Sequence, residues 1–521
     1  LPSAAYNKPT TVRCTAMNSK STTPKSLTPP VTWNLAPKLS ERIRASLDAY
    51  PPVISQLLFN RGIIDSAAAE HFLHPRYDED LHDPNLLGGM SSAVRTIKIA
   101  LERQERIVVH GDYDADGLTG AAILVDVLKR LGADVSAFVP SRYEEGYGVA
   151  ADTLGRLTEE GTDLVITVDC GISDRNAIAA GRKAGLKVVV TDHHLPPKQV
   201  PDAEAVINPN LPKDRYPNKA LTGAGVAFKV AQALLAESPL AEREREAAEK
   251  WLLDLVAIGT VADMAELSGE NRALVKYGLS VLRKTRRPGL RALLRAAGVS
   301  SEALSARTIG FTVAPRLNAP GRLSHAREAL ALLTTPDPEE ARRLADVLES
   351  HNADRQRLTM EAVDEAKRKI PELTEEDSIL VLDGSWLSGV AGLVAGRLSR
   401  EYTRPVVVIE RGETVSKGSV RSIPGFHVAE ALQKHGEFLQ TFGGHAQAGG
   451  FSLDTVKLEQ FRTKLREFAN QTLTAEHLVP TLELEATLGA DDLTEELIDQ
   501  LERFEPFGVG NQRPLFLLPG A

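Results

Sequence analysis

The chain has 521 residues, and at ~100–200 residues per domain this length predicts about three domains. Apolar residues make up 42% and charged residues 25%, which is typical of a globular protein and excludes a disordered chain. No run approaches the ~20 consecutive apolar residues of a membrane span, so we expect no membrane-embedded part. The two cysteines, Cys14 and Cys170, exclude a disulfide framework and favour a reducing, cytoplasmic setting.

The formal net charge of −9 argues at first against a polyanionic substrate, because nucleic-acid-binding proteins usually carry a basic surface. The basic residues are unevenly distributed, however, and two interpretations of them stay open. They line one positive channel on an acidic body, or they are solvated helix faces. These residues are Arg283, Lys284, Arg286, Arg287, Arg291, Arg316, Arg322, Arg327, Arg355 and Arg357.

Residues 1–35 are rich in Ser, Thr, Pro and Asn without an apolar segment, so we predict a disordered extension there. Between Arg106 and Asn208, runs of β-branched residues alternate with helical segments. This pattern predicts an α/β domain with a parallel sheet covered on both faces, whose ligands lie at the carboxyl ends of the strands. The predicted strands are Ile107–Val109, Val135–Val139, Leu164–Val168, Lys187–Thr191 and Ala205–Ile207, and the helices are Thr119–Leu131, Val149–Glu160 and Arg175–Ala184.

The rest of the chain predicts further elements. Leu221–Leu333 is mostly helical, and the charged segment Pro338–Ile370 predicts a connecting helix of about 50 Å. After Pro480, alternating Leu and Glu predict the start of a β-rich third domain, whose last strand, Leu515–Leu518, is expected to lack a partner. A second α/β unit is predicted between them, with strands Ile379–Leu382, Val406–Ile409 and Ser419–Ser422 and helices Val390–Arg400 and Val428–Lys434.

Three aspartates and a histidine follow the first predicted strand, within His110–Gly117. Carboxylates at this density repel one another unless cations neutralise them, and hard divalent ions prefer oxygen ligands. The imidazole favours Mn²⁺ over Mg²⁺. An acidic cap on a helix that begins near Thr119 would explain the same residues. This motif alone therefore leaves both interpretations open.

Two more strand ends carry the same kinds of side chain. Asp169 follows the third predicted strand, and the tripeptide Asp192–His194 follows the fourth. Parallel strands bring such residues to one edge of a sheet, so we predict a metal centre there, with Asp263, which follows an apolar helix, as a further ligand. Cys170 fits no metal-ligand spacing and is assigned to packing.

The motifs resemble those of the DHH phosphoesterase superfamily, named for the tripeptide at Asp192–His194. Within it, His110–Gly117, Pro315–Arg322 and Phe504–Asn511 are most similar to the bacterial RecJ family, and Gly443–Gly449 resembles the superfamily's associated second domain. The resemblance implies a DHH catalytic domain at 36–335, a connecting helix at 336–372, a substrate-binding domain at 373–478 and the start of an OB-like domain at 479–521.

The resemblance also implies a role for each site residue. One divalent ion would be held by His110, Asp114 and Asp169, and a second by Asp116, Asp169, His193 and Asp263. Asp112 and Asp192 would orient these ligands, and His194 would contact the scissile phosphate. The implied substrate-binding residues are Arg316, Asn318, Arg322, Arg421, Ser422, Gly444 and His445.

A RecJ-like protein would hydrolyse single-stranded DNA from its 5′ end to mononucleotides in DNA repair and recombination. It would act as a monomer, with single-strand-binding protein and a repair helicase as partners. Tyr113, Tyr147 and Phe311 are the candidates for base stacking. Two alternatives stay open: a phosphodiesterase of nano-oligonucleotides or cyclic dinucleotides, and a non-catalytic nucleic-acid-binding scaffold. Length favours the exonuclease over the first, and a competent residue at every ligand position favours it over the second.

Overall fold

The computed structural model describes residues 10–13, 31–371, 373–374 and 377–519. The described residues form two compact units, a larger one of residues 40–352 and 491–513 and a smaller one that comprises the other described residues. Among the described residues, none of the helices is long and apolar enough to cross a membrane.

The strands and helices are numbered in chain order. The strands are β1 (Thr10–Arg13), β2 (Thr32–Leu35), β3 (Ile107–Gly111), β4 (Val135–Phe138), β5 (Leu164–Val168), β6 (Lys187–Thr191), β7 (Ala205–Ile207), β8 (Leu380–Gly384), β9 (Val406–Glu410), β10 (Val415–Arg421), β11 (Leu439–Gly444), β12 (Ala448–Asp454), β13 (Thr481–Leu484), β14 (Ala486–Thr487) and β15 (Phe516–Leu517). The helices are α1 (Glu41–Ser46), α2 (Pro52–Asn60), α3 (Ser66–Leu73), α4 (Tyr77–Asp80), α5 (Met90–Glu102), α6 (Ala115–Arg130), α7 (Ala151–Glu159), α8 (Arg175–Lys183), α9 (Gly223–Ala236), α10 (Glu242–Trp251), α11 (Leu253–Ala262), α12 (Gly269–Leu282), α13 (Pro288–Ala296), α14 (Ala306–Thr308), α15 (Ala314–Leu323), α16 (Arg327–Thr334), α17 (Pro338–Lys369), α18 (Ser388–Tyr402), α19 (Val428–Lys434), α20 (Leu458–Thr472) and α21 (Glu495–Glu502).

The larger unit contains a five-stranded sheet in the order β4-β3-β5-β6-β7, and every neighbouring pair is parallel. Successive side chains of a strand face opposite sides of the sheet. Val109 and Ile166 accordingly lie in one buried cluster, while Val108 and Val165 lie in another. Both faces are therefore buried, and the predicted α/β domain with its five strands is confirmed.

The smaller unit contains a mixed sheet in the order β11-β12-β10-β9-β8. β8 and β9 are parallel, and the other pairs are antiparallel. The second predicted α/β unit is confirmed, but the hairpin of β11 and β12 was not predicted. Gly443 pairs with Gly450 and Gly444 with Gly449 across this hairpin, and glycines carry none of the β-branched signal by which strands are recognised. The predicted connecting helix is confirmed as α17, of 32 residues.

Two predictions about the chain ends are corrected. Part of the predicted disordered extension forms strands, because β2 pairs with β1 and runs parallel to β13; residues 1–9 and 14–30 lie outside the described residues. The last predicted strand has a partner, since β15 pairs in parallel with β14. β14 has only two residues, which is too short for an alternating pattern to predict. Residues 491–513 pack in the larger unit, and the predicted boundary of the third domain stays a prediction.

Arg287, one of the residues of the predicted basic surface, forms ion pairs within the fold. Arg287 bridges two carboxylates, with its Nη2 atom 2.7 Å from Oδ2 of Asp126 and its Nε atom 3.2 Å from Oδ1 of Asp254. Asp254 is buried. The neighbouring Arg286 is exposed and lies over the Trp251 ring, 4.0 Å from its centroid.

We expect Arg287→Ala to lower the free energy of unfolding by about 3–5 kcal/mol, because it leaves the buried Asp254 carboxylate without its cation. Arg286→Ala is the matched control and should cost about 1 kcal/mol or less, the value of an exposed cation–π contact. Urea unfolding of the two variants measures both quantities. Equal losses of stability would show that Arg287 has no special structural role.

Candidate metal centre

Three neighbouring strands end at the same edge of the larger sheet. Gly111 of β3 pairs with Val168 of β5, which pairs with Thr191 of β6. The ladder continues one residue further: the Asp112 amide donates to the Val168 carbonyl at 3.1 Å, and the Asp169 amide donates to the Thr191 carbonyl at 3.0 Å. The predicted convergence of these strand ends is therefore present in the structure.

The first motif continues directly into α6. The carboxylate of Asp114 accepts hydrogen bonds from the amides of Asp116, at 2.9 Å, and Gly117, at 3.2 Å. This cap starts the helix at Ala115, so the prediction of a start near Thr119 is corrected. The motif is thus a helix cap as well as a candidate ligand set, and the two interpretations of the sequence do not exclude each other.

The start of α9 fixes the Asp116 carboxylate. The amides of Gly223 and Ala224 donate to its two oxygens at 2.6 and 2.9 Å. Position 223 requires glycine, because a Cβ there would lie 2.5 Å from the Cβ atom of Asp169. The start of α9 therefore lies close to both Asp116 and Asp169 and orients the Asp116 carboxylate. This contact could not be predicted from the local sequence.

The Asp-His-His tripeptide is held by its own aspartate. Oδ1 of Asp192 accepts from the amides of His193 and His194, at 2.7 and 3.0 Å, and lies 2.8 Å from Nδ1 of His194. Oδ2 of Asp192 accepts from the Ile172 amide at 3.0 Å. Nε2 of His193 lies 3.0 Å from Oδ1 of Asp169, 3.9 Å from Asp116 and 3.8 Å from Asp263. His193 thus lies among the three carboxylates predicted to bind the second ion.

The carboxylates crowd one another. Burial and then neighbouring carboxylates raise the pKa of Asp112 and of Asp169 well above the usual range, and the same causes raise the pKa of Asp116 to about 7 and that of Asp263 to about 8. A divalent cation would reverse this effect, because it favours the charged form of each carboxylate. The electrostatics of the centre therefore fit a bound cation.

Unpaired buried atoms support the same conclusion. Among the described residues, no hydrogen-bond partner reaches Nε2 of His110 or Oδ1 of Asp112, although both side chains are buried and buried polar atoms normally have partners. Burial lowers the pKa of His110 to about 4, which leaves its imidazole neutral and able to bind a metal. These two atoms fit metal coordination.

Three groups of ligand atoms, each within 4.8 Å of one another, are found among the described residues. They are Asp112, Asp114 and Asp169; Asp116, His193 and Asp263; and Asp169, His193 and His194. The second group contains three of the four residues that the resemblance implies for the second ion. The first places Asp112, rather than His110, with Asp114 and Asp169, and the third adds His194. The division of roles among His110, Asp112 and His194 stays a prediction.

The predicted substrate-binding residues of the larger unit lie on α15. Arg316 pairs in a bidentate manner with Glu349 of α17, at 2.5 and 3.1 Å, so its guanidinium joins two helices. Asn318 accepts from the Ala115 amide at 2.7 Å and thereby supports the first motif. Arg322 is half-buried, and its carbonyl accepts from the Tyr143 hydroxyl at 2.5 Å.

Four predicted residues lie together in the smaller unit. Arg421 ends β10 opposite Ala448 of β12, and burial lowers the pKa of its guanidinium. Ser422 follows Arg421, and its amide donates to the Gln447 carbonyl at 2.9 Å. Gly444 ends β11, and the amide of His445 donates to the Ala448 carbonyl at 2.8 Å. One end of the mixed sheet therefore presents all four residues.

Aromatic and basic side chains lie close to the candidate metal centre, and the sequence predicted Tyr113 and Tyr147 but not Arg142. The hydroxyl of Tyr147 lies 3.3 Å from both ring nitrogens of His194, so this predicted stacking residue contacts the centre itself. Arg142 was missed; its guanidinium lies over the Tyr113 ring, 4.3 Å from the centroid. Phe311 is exposed, with Arg307 5.0 Å from its ring centroid.

Comparison with known proteins identifies the family. Residues 106–260 match the DHH family, N-terminal domain, residues 376–471 the DHHA1 domain and residues 484–521 the RecJ OB domain. A single-stranded-DNA-specific exonuclease RecJ from Dickeya dadantii is 37% identical over 488 residues, which cover 90% of the chain and 84% of that relative. The chain belongs to the RecJ family. The Bacillus subtilis RecJ is 38% identical over 473 residues, and the chain spans only 59% of its length.

Solved RecJ structures agree with this assignment. The RecJ of Thermus thermophilus in complex with Mn²⁺ superposes with a TM-score of 0.79 at 34% identity, covering 93% of the chain and 69% of that structure. An exonuclease RecJ bound to manganese is 40% identical, with a TM-score of 0.63, covering 74% of the chain and 94% of that structure. The predicted fold class, including the start of an OB domain, is therefore confirmed.

Proposed function

We propose that this chain is a divalent-metal-dependent exonuclease that hydrolyses single-stranded DNA from the 5′ end to mononucleotides, in DNA repair and recombination. The convergence of Asp112, Asp169 and the Asp192–His194 tripeptide on one sheet edge, in a RecJ family member, carries the proposal. Relatives of the family are named for single-stranded-DNA-specific exonuclease activity. Since the chain spans 59% of the B. subtilis relative, the activity of that whole protein is a proposal for this chain.

Two groups of residues would hold the ions. We assign His110, Asp114 and Asp169 to one ion, with Asp112 as an adjacent oxygen donor. The second ion is assigned to Asp116, Asp169, His193 and Asp263. Ions bound there would supply Lewis-acid chemistry, since they lower the pKa of water and neutralise charge on the attacked phosphate. We propose Mn²⁺ as the preferred ion and Mg²⁺ as a second, because imidazole accompanies the carboxylates.

His194 is suited to act on the phosphate. Burial lowers its pKa, but the hydrogen bond and charge of Asp192 outweigh that effect and raise the pKa to about 9. Asp192 therefore favours the protonated form of the imidazole. Asp192 holds the imidazole through Nδ1, and we propose that Nε2, which lies 3.3 Å from the Tyr147 hydroxyl, donates to a phosphate oxygen. Asp192 thus acts as a positioning residue for His194.

Further residues would hold the DNA strand. Asn318 orients the first motif through the Ala115 amide, and we assign Arg322 to backbone phosphates. Arg316 acts through its ion pair with Glu349, which would align α15. In the smaller unit we assign Arg421, Ser422, Gly444 and His445 to binding of the DNA strand.

Single strands labelled at either end test the proposal. We expect the purified chain with Mn²⁺ to release labelled mononucleotide at once from 5′-labelled single-stranded DNA and to shorten 3′-labelled DNA progressively. Blunt duplex and single-stranded RNA of the same sequence are the matched controls, and both should be degraded far more slowly. Hydrolysis confined to di- to tetranucleotides or cyclic dinucleotides would favour the small-substrate alternative, and binding without hydrolysis would favour the scaffold.

We propose a cytoplasmic monomer that works with single-strand-binding protein and a repair helicase. The domain boundaries at residues 335, 372 and 478 are likewise proposals. They lie between the ranges matched by the three domain families, which supports them.

A further inference from the structure

The turn Phe504–Asn511 has no part in the proposed chemistry, although it is one of the three motifs that most resemble the RecJ family. It follows α21 and overlaps the range matched by the RecJ OB domain. Residues 491–513 nevertheless belong to the larger unit, which contains the candidate metal centre. The position of this turn within that unit therefore needs an explanation.

A buried arginine of α12 holds the turn. The side chain of Arg272 is fully buried, and its plane packs on the Phe72 ring, 4.0 Å from the centroid. It donates to carbonyl oxygens of the turn region rather than to carboxylates: those of Phe504 at 2.8 Å, Glu505 at 2.9 Å and Arg503 at 3.0 Å. Burying a guanidinium is costly unless its donors are satisfied, so this arrangement fixes the path of the backbone at the turn.

A second arginine and an asparagine close the turn. Nε of Arg61 donates to Oδ1 of Asn511 at 2.7 Å. Nδ2 of Asn511 donates in turn to the carbonyls of Phe504 at 2.7 Å and Pro506 at 2.9 Å. Asn511 is buried. The turn is therefore held by its own hydrogen bonds and by hydrogen bonds to Arg61, which follows α2, and to Arg272 of α12.

The turn packs against the segment that follows Asp263. The amide of Leu267 donates to the Val509 carbonyl at 2.8 Å. Gly510 has a φ of +73°, and a Cβ there would lie 2.2 Å from Cγ of Glu266. A Cβ at Gly508 would lie 2.6 Å from Cδ1 of Leu267. A Cβ at either position would have to displace the side chain of Glu266 or Leu267.

The segment 263–268 is short and carries a candidate ligand at its start. Asp263 caps the end of α11, and its amide donates to the Gly259 carbonyl at 3.0 Å. Met264 has a φ of +59°, a costly conformation that neighbouring contacts must maintain. α12 begins at Gly269. The turn contacts Glu266 and Leu267, so it constrains the segment three to four residues from Asp263.

We infer that the turn Phe504–Asn511 is a positioning element for the Asp263 carboxylate, through which the start of the third domain sets one ion-binding group. This inference rests on the proposed function, in which Asp263 binds a divalent ion. Displacing the turn should loosen that ion while leaving the ligands of the other in place. Supporting residues of a metal site commonly change metal affinity by about 10–100-fold.

Gly510→Ala in the full chain tests the inference. Its Cβ must displace Glu266, and we expect Mn²⁺ affinity at one of two sites to fall about tenfold or more in calorimetric titration. The Mn²⁺ concentration for half-maximal hydrolysis should rise in parallel, with KM for DNA nearly unchanged. Gly298→Ala is the matched control: it lies in the same unit with a φ of +66° and nothing within 4 Å of its Cβ. It should leave both Mn²⁺ affinities unchanged.

Arg61→Lys is a milder second variant, because it keeps the charge but loses the hydrogen bond from Nε to Asn511. If Gly510→Ala does not fold, a fall in the same Mn²⁺ affinity in Arg61→Lys supports the inference. Unchanged Mn²⁺ affinities in every folded turn variant would overturn it. Absence of Mn²⁺ binding by the unaltered chain would instead overturn the proposed function, so the two failures are distinguishable.

Discussion

Asp169→Ala is expected to lower the rate of hydrolysis by at least ~10³-fold, beyond the effect of losing a single charge-stabilising group. Asp169 belongs to two of the three candidate ligand groups and lies 3.0 Å from His193. Its loss should therefore weaken both ions. Nucleotide release from single-stranded DNA and calorimetric Mn²⁺ titration measure the two effects.

Asp169→Asn is the matched control for backbone strain. Asp169 has a φ of +63°, and asparagine tolerates this left-handed conformation well. The variant keeps the shape of the side chain and removes its charge, so the rate and both Mn²⁺ affinities should still fall. If Asp169→Asn instead kept nearly full activity, the charge of Asp169 would not be the cause of the loss in Asp169→Ala.

His194→Ala should lower the rate by ~10²–10³-fold, the scale for one lost charge-stabilising donor, while Mn²⁺ binding stays nearly normal. The reason is its predicted contact with the phosphate: Asp192 lies 2.8 Å from one ring nitrogen and raises the pKa of the imidazole. His193→Ala is the matched neighbour. It should lose affinity for an ion, because Nε2 of His193 lies 3.0 Å from Asp169.

Metal titration distinguishes these variants even where both are inactive. His194 lies in a ligand group with Asp169 and His193, so loss of one ion in His194→Ala would assign it to the metal and contradict its predicted role. Full retention of both ions in His193→Ala would contradict the role of that residue in the same way.

The sequence predicted the parallel sheet and the convergence of its strand ends because both depend on local patterns. β5, β6 and β7 begin and end at the predicted residues. Buried parallel strands are nearly continuous runs of β-branched residues, and a ligand that follows such a run lies at the sheet edge by necessity. The candidate ligands could therefore be chosen before any distance was known.

Contacts between distant parts of the chain could not be predicted in this way. The pairing of Arg316 with Glu349 and the approach of Gly223 to Asp116 depend on how helices pack. The division of roles between His110 and Asp112 depends on side-chain orientation, since both lie in one short motif. The hairpin of β11 and β12 was missed because its paired glycines give no strand signal.

The number of Mn²⁺ ions bound per chain tests the central claim most directly. Calorimetric titration of the purified chain, freed of metal by chelator, should show two ions bound, and hydrolysis of single-stranded DNA should be absent before the titration and present after it. Undiminished hydrolysis in excess chelator, with metal content checked, or a chain that binds no Mn²⁺, would contradict a catalytic metal centre formed by these aspartates and histidines.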